Sequence, residues 1–578
     1  MCHNGPNGFW SPTQCATPST PTQPLMGGEI IVKTIAQLQG GKCTFFGLCG
    51  STTFRFNKIM DAAISDGVLD YVHCTNEISA TLAAANFSKN NKIGVAITTR
   101  GPGMTMATTG LASADREELP MVYLSGLGTS TDYDVFQLLD TSIVSTITKR
   151  IFNITSAFTT KAEIIDVVEE AFHVAKYGTS ENPGPGPVSL LVSDDVWLKE
   201  FNRAGTTKFR PYRIKTGKEK KALNEIIRRW NCSSKIILRL GSRISEDTMN
   251  RMVSFAERFP QLYITTVYDS RGMLSPDISN KYLGMSGPLG NSVVQQAMED
   301  ADLIIEAAIG VLYSLLIKET TDDRVIHLYD EPVDKEGYKV NADVVLEGLV
   351  YNESHLHVGQ EWVSGDPTAA FGQIVQSYLA DGNTIPAVVT KCVNVFYDEQ
   401  YICRDNYYHV LDIGAAAFTA GQMLRVSDGD NLGNYSEYSP IGMSLGSAVG
   451  KMFSEPKDAV VYIGDGGFLT MLNGLVDLNE ACHRNQNRVL VLYFDDQKYG
   501  NVAGGDLVVF GDFTSITKTT YLYQHMDLPK LFGSMNPIKY YDDLDVNAID
   551  LWRTKAQGFT DPGLYVMRVR GDTALLHA

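Results

Sequence analysis

Residues 461–501 read VYIGDGGFLTMLNGLVDLNEACHRNQNRVLVLYFDDQKYGN, and this stretch decides the fold. Its pattern predicts a buried strand, a Gly-Asp-Gly turn, a long helix, a second buried strand and then an Asp-Asp turn. Because the carboxyl ends of parallel strands meet at one edge of a sheet, Asp465 and Asp496 are expected to converge there, where such sheets bind ligands. The stretch therefore predicts a parallel α/β domain with an acidic ligand site.

The Gly-Asp-Gly turn has the composition of a phosphate-binding turn. Gly464, Gly466 and Gly467 leave backbone N–H groups open to close approach, and the start of the following helix favours anions. A hard cation such as Mg²⁺ can hold carboxylate, carbonyl and diphosphate oxygens together. A Gly-Asp-Gly turn alone fits a plain strand–helix connection equally well, so the second acidic turn is what points to a metal diphosphate.

Outward from this stretch, short apolar runs bounded by glycine alternate with helical patterns along most of the chain. Strands buried on both faces give such runs, which indicates parallel βαβ units. Since 578 residues exceed the size of one hydrophobic core, we expect an α/β protein with three successive parallel-sheet domains behind an extended or disordered arm. The predicted boundaries are an arm at 1–28, a first domain at 29–198, a connector at 199–221, a central domain at 222–350, a linker at 351–386 and a third domain at 387–578.

The composition argues against several classes of partner. The net charge of −17 comes without any run of basic residues, which argues against nucleic acid. Nine scattered cysteines without a Cys-x-x-Cys pair indicate a reducing compartment rather than a disulfide framework or a zinc site. No apolar stretch reaches the length of a membrane span, and the first residues lack a secretory signal pattern. We expect a cytoplasmic protein with no nucleic-acid and no membrane partner.

The 461–501 stretch resembles the signature of the thiamine diphosphate enzymes of the acetohydroxyacid synthase, pyruvate oxidase and benzoylformate decarboxylase type. That signature is Gly-Asp-Gly, a long spacer, then Asn-Asn and a Tyr-Gly or similar turn. The resemblance implies that Asp465, Asp496 and the backbone carbonyl of Lys498 bind Mg²⁺ on the diphosphate. Asp495 and Asp496 replace the two asparagines usual in the family. The extra negative charge is expected to weaken cofactor binding unless a cation offsets it.

A second stretch, HCTNEISATLAAANFSKNNKIGVAITTRGPG at 73–103, resembles the family's pyrimidine-binding domain, where a strand end gives a glutamate before an Ala-rich helix. The resemblance implies that Glu77 hydrogen-bonds the aminopyrimidine ring and promotes loss of the proton from thiazolium C2. Without that context, a glutamate opening a helix would simply complement the helix dipole. In TDYDVFQLLDT at 131–141, the resemblance places Gln137 near the cofactor, although a surface amide is equally consistent.

Two further segments resemble the family's diphosphate-binding domain. DIGAAAF contains Gly414, and YSPIGMSLGSAVG contains Ser439, Ile441 and Met443. The resemblance implies backbone contacts with the cofactor and makes Ile441 the apolar prop beneath it, whereas an isoleucine in an apolar stretch is otherwise ordinary core. In the central domain, AAIGVLYSLL stands where FAD-binding members have another sequence, so FAD is not predicted.

The resemblance implies an enzyme that acts on a small-molecule 2-keto acid. Decarboxylation followed by acetolactate synthase-like carboligation is the first expectation, and a simple decarboxylase, an oxidase and an acyl-CoA lyase remain open. The family's active site lies at a subunit interface, so a homodimer or homotetramer is expected. A member that has lost catalysis and serves as a structural or binding protein is the alternative from another class. The Asp495-Asp496 pair, Arg100 and the N-terminal arm suggest it, while Glu77 favours catalysis.

Overall fold

Three six-stranded sheets, each with parallel neighbours throughout, form the framework of the protein. They confirm the predicted α/β fold class of successive parallel-sheet domains. The computed structural model describes residues 24–50, 53–88, 92–128, 141–182, 184–211, 217–241, 243–268, 279–287, 290–309, 323–329, 337–382, 384–398, 407–424, 432–433, 438–500, 502–503, 506, 509, 511–512, 515, 527–534, 538–544 and 561–572. Among these residues, no helix combines the length and the apolar composition that crossing a membrane requires.

The first sheet is built from the N-terminal part of the chain. The strands are β1 (Leu25–Met26), β2 (Cys43–Gly47), β3 (Leu69–His73), β4 (Gly94–Thr98), β5 (Met121–Leu127), β6 (Ile151–Ile154), β7 (Pro187–Ser193) and β8 (Glu200–Phe201). The helices are α1 (Gly27–Leu38), α2 (Phe54–Ser65), α3 (Glu77–Asn86), α4 (Pro102–Arg116) and α5 (Lys161–Tyr177), with a 3-10 turn at Thr141–Val144. The sheet order is β3-β2-β4-β5-β7-β6, and β1 pairs with β8 alone. Glu77 and Arg100, which follow β3 and β4, therefore lie at the same carboxyl edge.

The second sheet carries a row of charged side chains in its interior. The strands are β9 (Ile236–Leu240), β10 (Leu262–Thr266), β11 (Tyr282–Met285), β12 (Leu303–Ala307), β13 (Val325–Tyr329) and β14 (Tyr338–Lys339), in the order β11-β10-β9-β12-β13-β14. The helices are α6 (Gly217–Trp230), α7 (Glu246–Ala256), α8 (Ser292–Asp300) and α9 (Ala342–Tyr351), followed by a 3-10 turn at Glu353–His355. Glu306 contacts Arg239 at 2.9 Å and His327 at 2.8 Å across neighbouring strands, so the buried charges of Glu306 and Arg239 are paired.

The third sheet follows a linker helix, α10 (Pro367–Ala380). The strands are β15 (Tyr407–Leu411), β16 (Leu432–Gly433), β17 (Asp458–Gly464), β18 (Arg488–Asp495), β19 (Lys539–Leu544) and β20 (Gly563–Arg570), in the order β16-β15-β17-β18-β20-β19. The helices are α11 (Ile385–Asp398), α12 (Ala415–Met423), α13 (Met443–Ser454), α14 (Asp465–Thr470), α15 (Gly474–Asn485) and α16 (Leu528–Ser534). The loops after β15, β17 and β18 all leave from one edge of this sheet.

The first and third domains pack through α3 and α13. A Cβ built on Gly446 would lie 3.2 Å from the Cα of Ser79, and one on Gly450 would lie 2.1 Å from the carbonyl oxygen of Ala83. Only glycine permits this approach, because any side chain would collide with the backbone of the other helix. These two helices therefore hold the first and third domains of the chain together.

The predicted arm at 1–28 extends too far along the chain. β1 pairs antiparallel with β8, and α1 begins at Gly27. A Cβ on Gly27 would lie 2.4 Å from the carbonyl oxygen of Val196, so this glycine serves close packing rather than flexibility. Residues 1–23 lie outside the described part of the chain.

The predicted connector at 199–221 is also partly wrong, because β8 and the first turn of α6 fall inside it. The first residues of α6 are mostly charged, which gave the segment the composition of a linker. Ala222, Ile226 and Trp230 recur at every fourth position and are buried. A single apolar stripe therefore holds this helix on the second domain, while its charged face meets solvent.

His409 gives the third domain a predicted dependence on pH. It lies buried in β15 with Nδ1 3.2 Å from the Tyr462 hydroxyl, and burial lowers its pKa to about 4. The unfolded chain binds this proton near pH 6.5, so stability is present above that pH and lost as pH falls toward 4. With asparagine in place of His409, the free energy of unfolding is expected to fall by about 3 kcal/mol less as pH is lowered.

The measurement is the free energy of urea unfolding of the third domain between pH 7 and pH 4.5, compared between the two proteins. The same substitution at His355, whose side chain is exposed, is the control. An unchanged slope in the His409 variant would contradict the assignment.

Candidate functional site

The predicted metal residues lie at the carboxyl edge of the third sheet. Gly464, the last residue of β17, pairs in register with Phe494 on β18. Asp465 follows Gly464 directly, and Asp496 follows Phe494 by two residues. The structure therefore brings the two acidic turns to the ends of adjacent strands, as the sequence predicted.

Asp465 and Asp496 differ in how they are held. Asp465 is only 2% exposed, and its Oδ1 accepts a hydrogen bond of 2.7 Å from the N–H of Gly466. Asp496 is half-buried and accepts from the N–H of Lys498 at 3.2 Å, across a left-handed Gln497 with φ of 58°. Within the described ranges, no three His, Cys, Asp or Glu side chains are grouped to hold a metal. The expected ligand set contains only two such side chains, so it stays a prediction.

Two glycines leave open space in front of the strand ends. Gly414, after β15, has a φ of 123°, and Gly464 has a φ of −79°. A Cβ built on either residue would meet no atom within 4 Å. Backbone groups are thus accessible on two neighbouring loops, which is the arrangement expected where a phosphate approaches the main chain.

Gly466 and Gly467 serve packing instead. A Cβ on Gly466 would lie 2.6 Å from the Tyr499 ring and 3.2 Å from Cδ1 of Ile441. One on Gly467 would lie 2.8 Å from Oδ1 of Asp412. These glycines let the loops after β15, β17 and β18 approach one another closely. The role of Gly466 and Gly467 at the diphosphate stays a prediction, whereas their role in the close packing of these loops is observed.

The loop before α13 presents an exposed apolar residue at this edge. Ile441 is 38% exposed, so it is not core, although isoleucine in an apolar stretch usually is. Ser439, two residues earlier, has a left-handed φ of 53°, a conformation that costs free energy and persists only where neighbours impose it. Met443 differs, because its side chain is buried against Leu82 of the first domain. Only its backbone is left for a ligand.

Asp412 organises this loop and was missed in the sequence. Its carboxylate accepts hydrogen bonds from the N–H of Gly442 at 2.9 Å and from the N–H and hydroxyl of Ser444 at 3.0 and 2.6 Å. Burial raises its pKa, while these hydrogen bonds favour the ionised form. The signal was present, because Asp412 directly follows a buried strand and stands two residues before Gly414, much as Asp465 follows β17 and precedes Gly466. Asp412 therefore fixes the Ile441 loop against the end of β15.

Asp495, the residue that was expected to weaken cofactor binding, is neutralised within the domain. Its Oδ2 accepts from Nε of Arg568 at 2.8 Å and also contacts Nη2 of the same guanidinium. Its Oδ1 accepts from the N–H of Gln497 at 3.1 Å. The offsetting cation thus comes from β20, and Asp496 is left as the acidic ligand candidate of this turn. An arginine inside the apolar strand GLYVMRVR was the overlooked signal.

Glu77 occupies the carboxyl edge of the first sheet, at the first position of α3. It is only 7% exposed, and a Cβ on Gly103 would lie 3.1 Å from its Oε1. In the described part of the chain, no group hydrogen-bonds or ion-pairs with this carboxylate, while its backbone carbonyl accepts from Thr81 Oγ1 at 2.8 Å. Burial raises the pKa of nearby Tyr123 to about 12, and the charge of Glu77 adds to that rise.

Arg100 and Gln137 are the other two residues of the first domain to which the sequence drew attention. Arg100 is buried, and its Nη1 would lie 2.3 Å from a Cβ on Gly128, so the guanidinium packs on the backbone at the end of β5. Gln137 lies outside the described residues, and its expected place near the cofactor stays a prediction.

Family models for both halves of the site match this chain. The thiamine pyrophosphate enzyme N-terminal TPP binding domain matches residues 25–144, and the C-terminal TPP binding domain matches residues 412–549. The first match includes Glu77, and the second includes both acidic turns. The chain thus matches both TPP binding domains of the thiamine pyrophosphate enzymes. Thiamine diphosphate is another name for the same cofactor.

Within this family, the chain is similar to acetolactate synthases. It is 25% identical to the acetolactate synthase large subunit of Cyanidium caldarium over 74% of this chain and 77% of that protein. It is 24% identical to that of Lactococcus lactis subsp. lactis over 78% and 79%. The match to the large subunit of Buchnera aphidicola subsp. Schizaphis graminum, also 24% identical, covers 92% of this chain and 93% of the relative.

The described residues fit thiamine diphosphate on structural grounds. The space in front of Gly414 and Gly464 would admit phosphate oxygens, and the pairing of Asp495 with Arg568 removes the charge that would have opposed them. Glu77 offers a buried carboxylate that still lacks a hydrogen-bond donor among the described residues. A thiamine pyrophosphate enzyme needs both features.

Proposed function

We propose that this chain is an Mg²⁺-dependent thiamine diphosphate enzyme that decarboxylates a 2-keto acid and joins the remaining fragment to a second carbonyl compound. This is the reaction class of the acetolactate synthases that it resembles. A homodimer or homotetramer with the active site at a subunit interface is part of the proposal, as is a cytoplasmic location. Exposed apolar side chains next to the two half-sites, Met106 on α4 and Ile441, support a subunit contact there.

The Glu77 carboxylate is the observation that carries the proposal. Glu77 is only 7% exposed, and none of the described residues donates a hydrogen bond to its carboxylate. The aminopyrimidine ring would supply the missing donor. The same contact would let Glu77 hold and release a proton at a ring nitrogen, which is the acid–base work that activation of the cofactor requires.

The remaining residues have positioning roles in this proposal. When bound, thiamine diphosphate supplies the carbon nucleophile that adds to the keto group and takes up the electron pair left behind by CO₂. Asp465, Asp496 and the carbonyl of Lys498 would hold Mg²⁺, which would neutralise charge on the diphosphate. Ile441, whose loop is fixed by Asp412, would contact the cofactor and help to exclude water from the site.

Calorimetric titration with thiamine diphosphate and Mg²⁺, together with an assay of CO₂ release from pyruvate, tests the proposal. Saturable binding that requires the metal is expected, with CO₂ release and acetolactate as the product. Acetaldehyde as the product would favour a simple decarboxylase. Binding without turnover on any 2-keto acid would favour the structural or binding role. The absence of binding at millimolar cofactor would contradict the proposal as a whole.

Replacing Gly464 by alanine is expected to weaken cofactor binding about tenfold or more, the equivalent of at least ~1.4 kcal/mol. Its φ of −79° suits alanine, and apart from its chain neighbours no atom of the described residues lies within 4 Å of the new methyl group. The fold should therefore tolerate the change, while the methyl group takes space proposed for the phosphate. Titration calorimetry and the thermal unfolding midpoint measure the two effects separately.

Gly372 offers the matched control, because a Cβ there also meets nothing within 4 Å but lies on α10, away from the strand ends. Gly372→Ala should leave affinity unchanged and stabilise the helix by up to about 1 kcal/mol. Equal cofactor affinity in the Gly464 variant and the unmodified protein would show that the space in front of Gly464 is not the phosphate site.

A further inference from the structure

The loop that carries Glu77 is tied to the third domain of the same chain. Thr75, two residues before Glu77, donates its N–H to Oδ1 of Asp477 at 2.8 Å and its hydroxyl to Oδ2 at 3.0 Å. Asp477 lies buried in the first turn of α15, and Asn473, just before this helix, also contacts the Thr75 hydroxyl at 3.3 Å. One carboxylate thus uses both oxygens to hold one residue of another domain.

The surrounding contacts show what Asp477 adds. Before Glu77, the N–H of Cys74 bonds to Gly47 at 2.9 Å, and the side chain of Asn76 caps α3 by accepting from Ser79 at 2.7 Å. Both contacts lie within the first domain. The hydrogen bonds of Thr75 with Asp477 and Asn473 fix this turn relative to the third domain.

Domain association alone does not account for a carboxylate at this place. The close apolar contact of α3 with α13 already joins the two domains through Gly446 and Gly450. Burial raises the pKa of the Asp477 carboxyl to about 6, against hydrogen bonds from Thr75 that favour the ionised form. Keeping the Asp477 carboxylate charged in this buried position costs free energy. A role in fixing the position of Thr75 explains this cost better than a general contribution to domain association.

We propose that Asp477 is a positioning residue that sets the place of Glu77 through its two hydrogen bonds to Thr75. This inference rests on the proposed function, because it assumes that Glu77 acts on bound thiamine diphosphate. Its effect is exerted before any cofactor binds, through the conformation of residues 74–77. Small displacements of a reacting group lower rates steeply, and about 1 Å is enough for a loss of roughly a hundredfold.

The test compares Asp477→Ala, Asp477→Asn and a control at the other end of α15. There, Arg484 donates to the carbonyl of Tyr71 at 2.8 Å and pairs with Asp70, so it also joins α15 to β3 but away from Glu77. In the protein without cofactor, amide hydrogen exchange of a peptide covering residues 73–79 should become faster in Asp477→Ala. It should stay unchanged in Asp477→Asn and in Arg484→Gln.

With thiamine diphosphate and Mg²⁺ bound, Asp477→Ala should lower kcat for CO₂ release by roughly 10- to 100-fold and change cofactor affinity much less. An asparagine side chain at this position keeps an acceptor for the Thr75 N–H, so Asp477→Asn should restore most of the rate. Because the effect passes through Glu77, Asp477→Ala should cost little more in a Glu77→Gln background.

Three results would overturn the inference: unchanged exchange at 73–79 in Asp477→Ala, an equal loss of rate in Arg484→Gln, or a full additive loss in the Glu77→Gln background. Failure of the unmodified chain to bind thiamine diphosphate is a separate outcome. It would contradict the proposed function, while the exchange measurement would still decide whether Asp477 holds the Glu77 loop.

Discussion

Replacing Arg568 by methionine is expected to destabilise the third domain by about 3–5 kcal/mol. The side chain of Asp495 is 0% exposed and that of Arg568 is 11% exposed, so their pairing takes place almost entirely out of water. Methionine fills a similar volume but donates no hydrogen bond, and the carboxylate would remain buried without a counterion. The measurement is urea unfolding, with amide hydrogen exchange of β18 and β20 used to assign the transition to this domain.

The double variant Arg568→Met, Asp495→Asn identifies the cause, because asparagine removes the uncompensated charge. Most of the lost stability should return. Arg258→Met is the control: this arginine pairs with Glu353 at 2.8 Å, but both side chains are nearly half exposed. An exposed pair contributes at most about 1 kcal/mol, and its loss should be correspondingly small. A double variant no more stable than Arg568→Met would show that the buried charge is not the cause.

The fold was accessible from the sequence because burial on both faces leaves a local pattern. The strands RVLVLYFD and DAVVYIG are continuous apolar runs, and each ends in the acidic or glycine-rich turn that marks the carboxyl edge. Parallel pairing then places Asp465 and Asp496 together without any knowledge of the rest of the chain. The boundaries at 1–28 and 199–221 were misjudged because the composition of these segments resembles that of linkers. Gly27 and Gly28 are packed closely in the first segment, and α6, which begins in the second, is held by one narrow apolar stripe.

The partners of the acidic residues could not be predicted in the same way. Arg568 lies 73 residues from Asp495, and Thr75 lies 402 residues from Asp477. Neither separation corresponds to a helical or strand period, so only the folded chain brings these groups together. The Asp495-Asp496 pair suggested weak cofactor binding because Arg568, the cation that pairs with Asp495, lies on another strand and could not be assigned from the sequence. Local motifs thus locate a site, whereas its charge balance depends on contacts distant in sequence.

Glu77→Gln is expected to lower the rate of CO₂ release by about 10²- to 10⁴-fold. Glutamine has nearly the same shape and can still hydrogen-bond the aminopyrimidine, but it cannot carry the charge or exchange the proton. Cofactor affinity should therefore change far less than the rate, since Mg²⁺ and the backbone near Gly414 and Gly464 would still hold the diphosphate. Steady-state kinetics and titration calorimetry on the same preparation separate the two quantities.

Glu29→Gln supplies the control, because Glu29 also lies in the first turn of a helix and accepts a hydrogen bond of 2.7 Å from the N–H of Met26. If Glu77 served only the dipole of α3, the two substitutions would have similar small effects on stability and none on rate. A large loss of rate confined to Glu77→Gln would instead require that this carboxylate moves a proton. An active Glu77→Gln variant with normal kcat would remove the basis of the proposed chemistry, even if thiamine diphosphate binds.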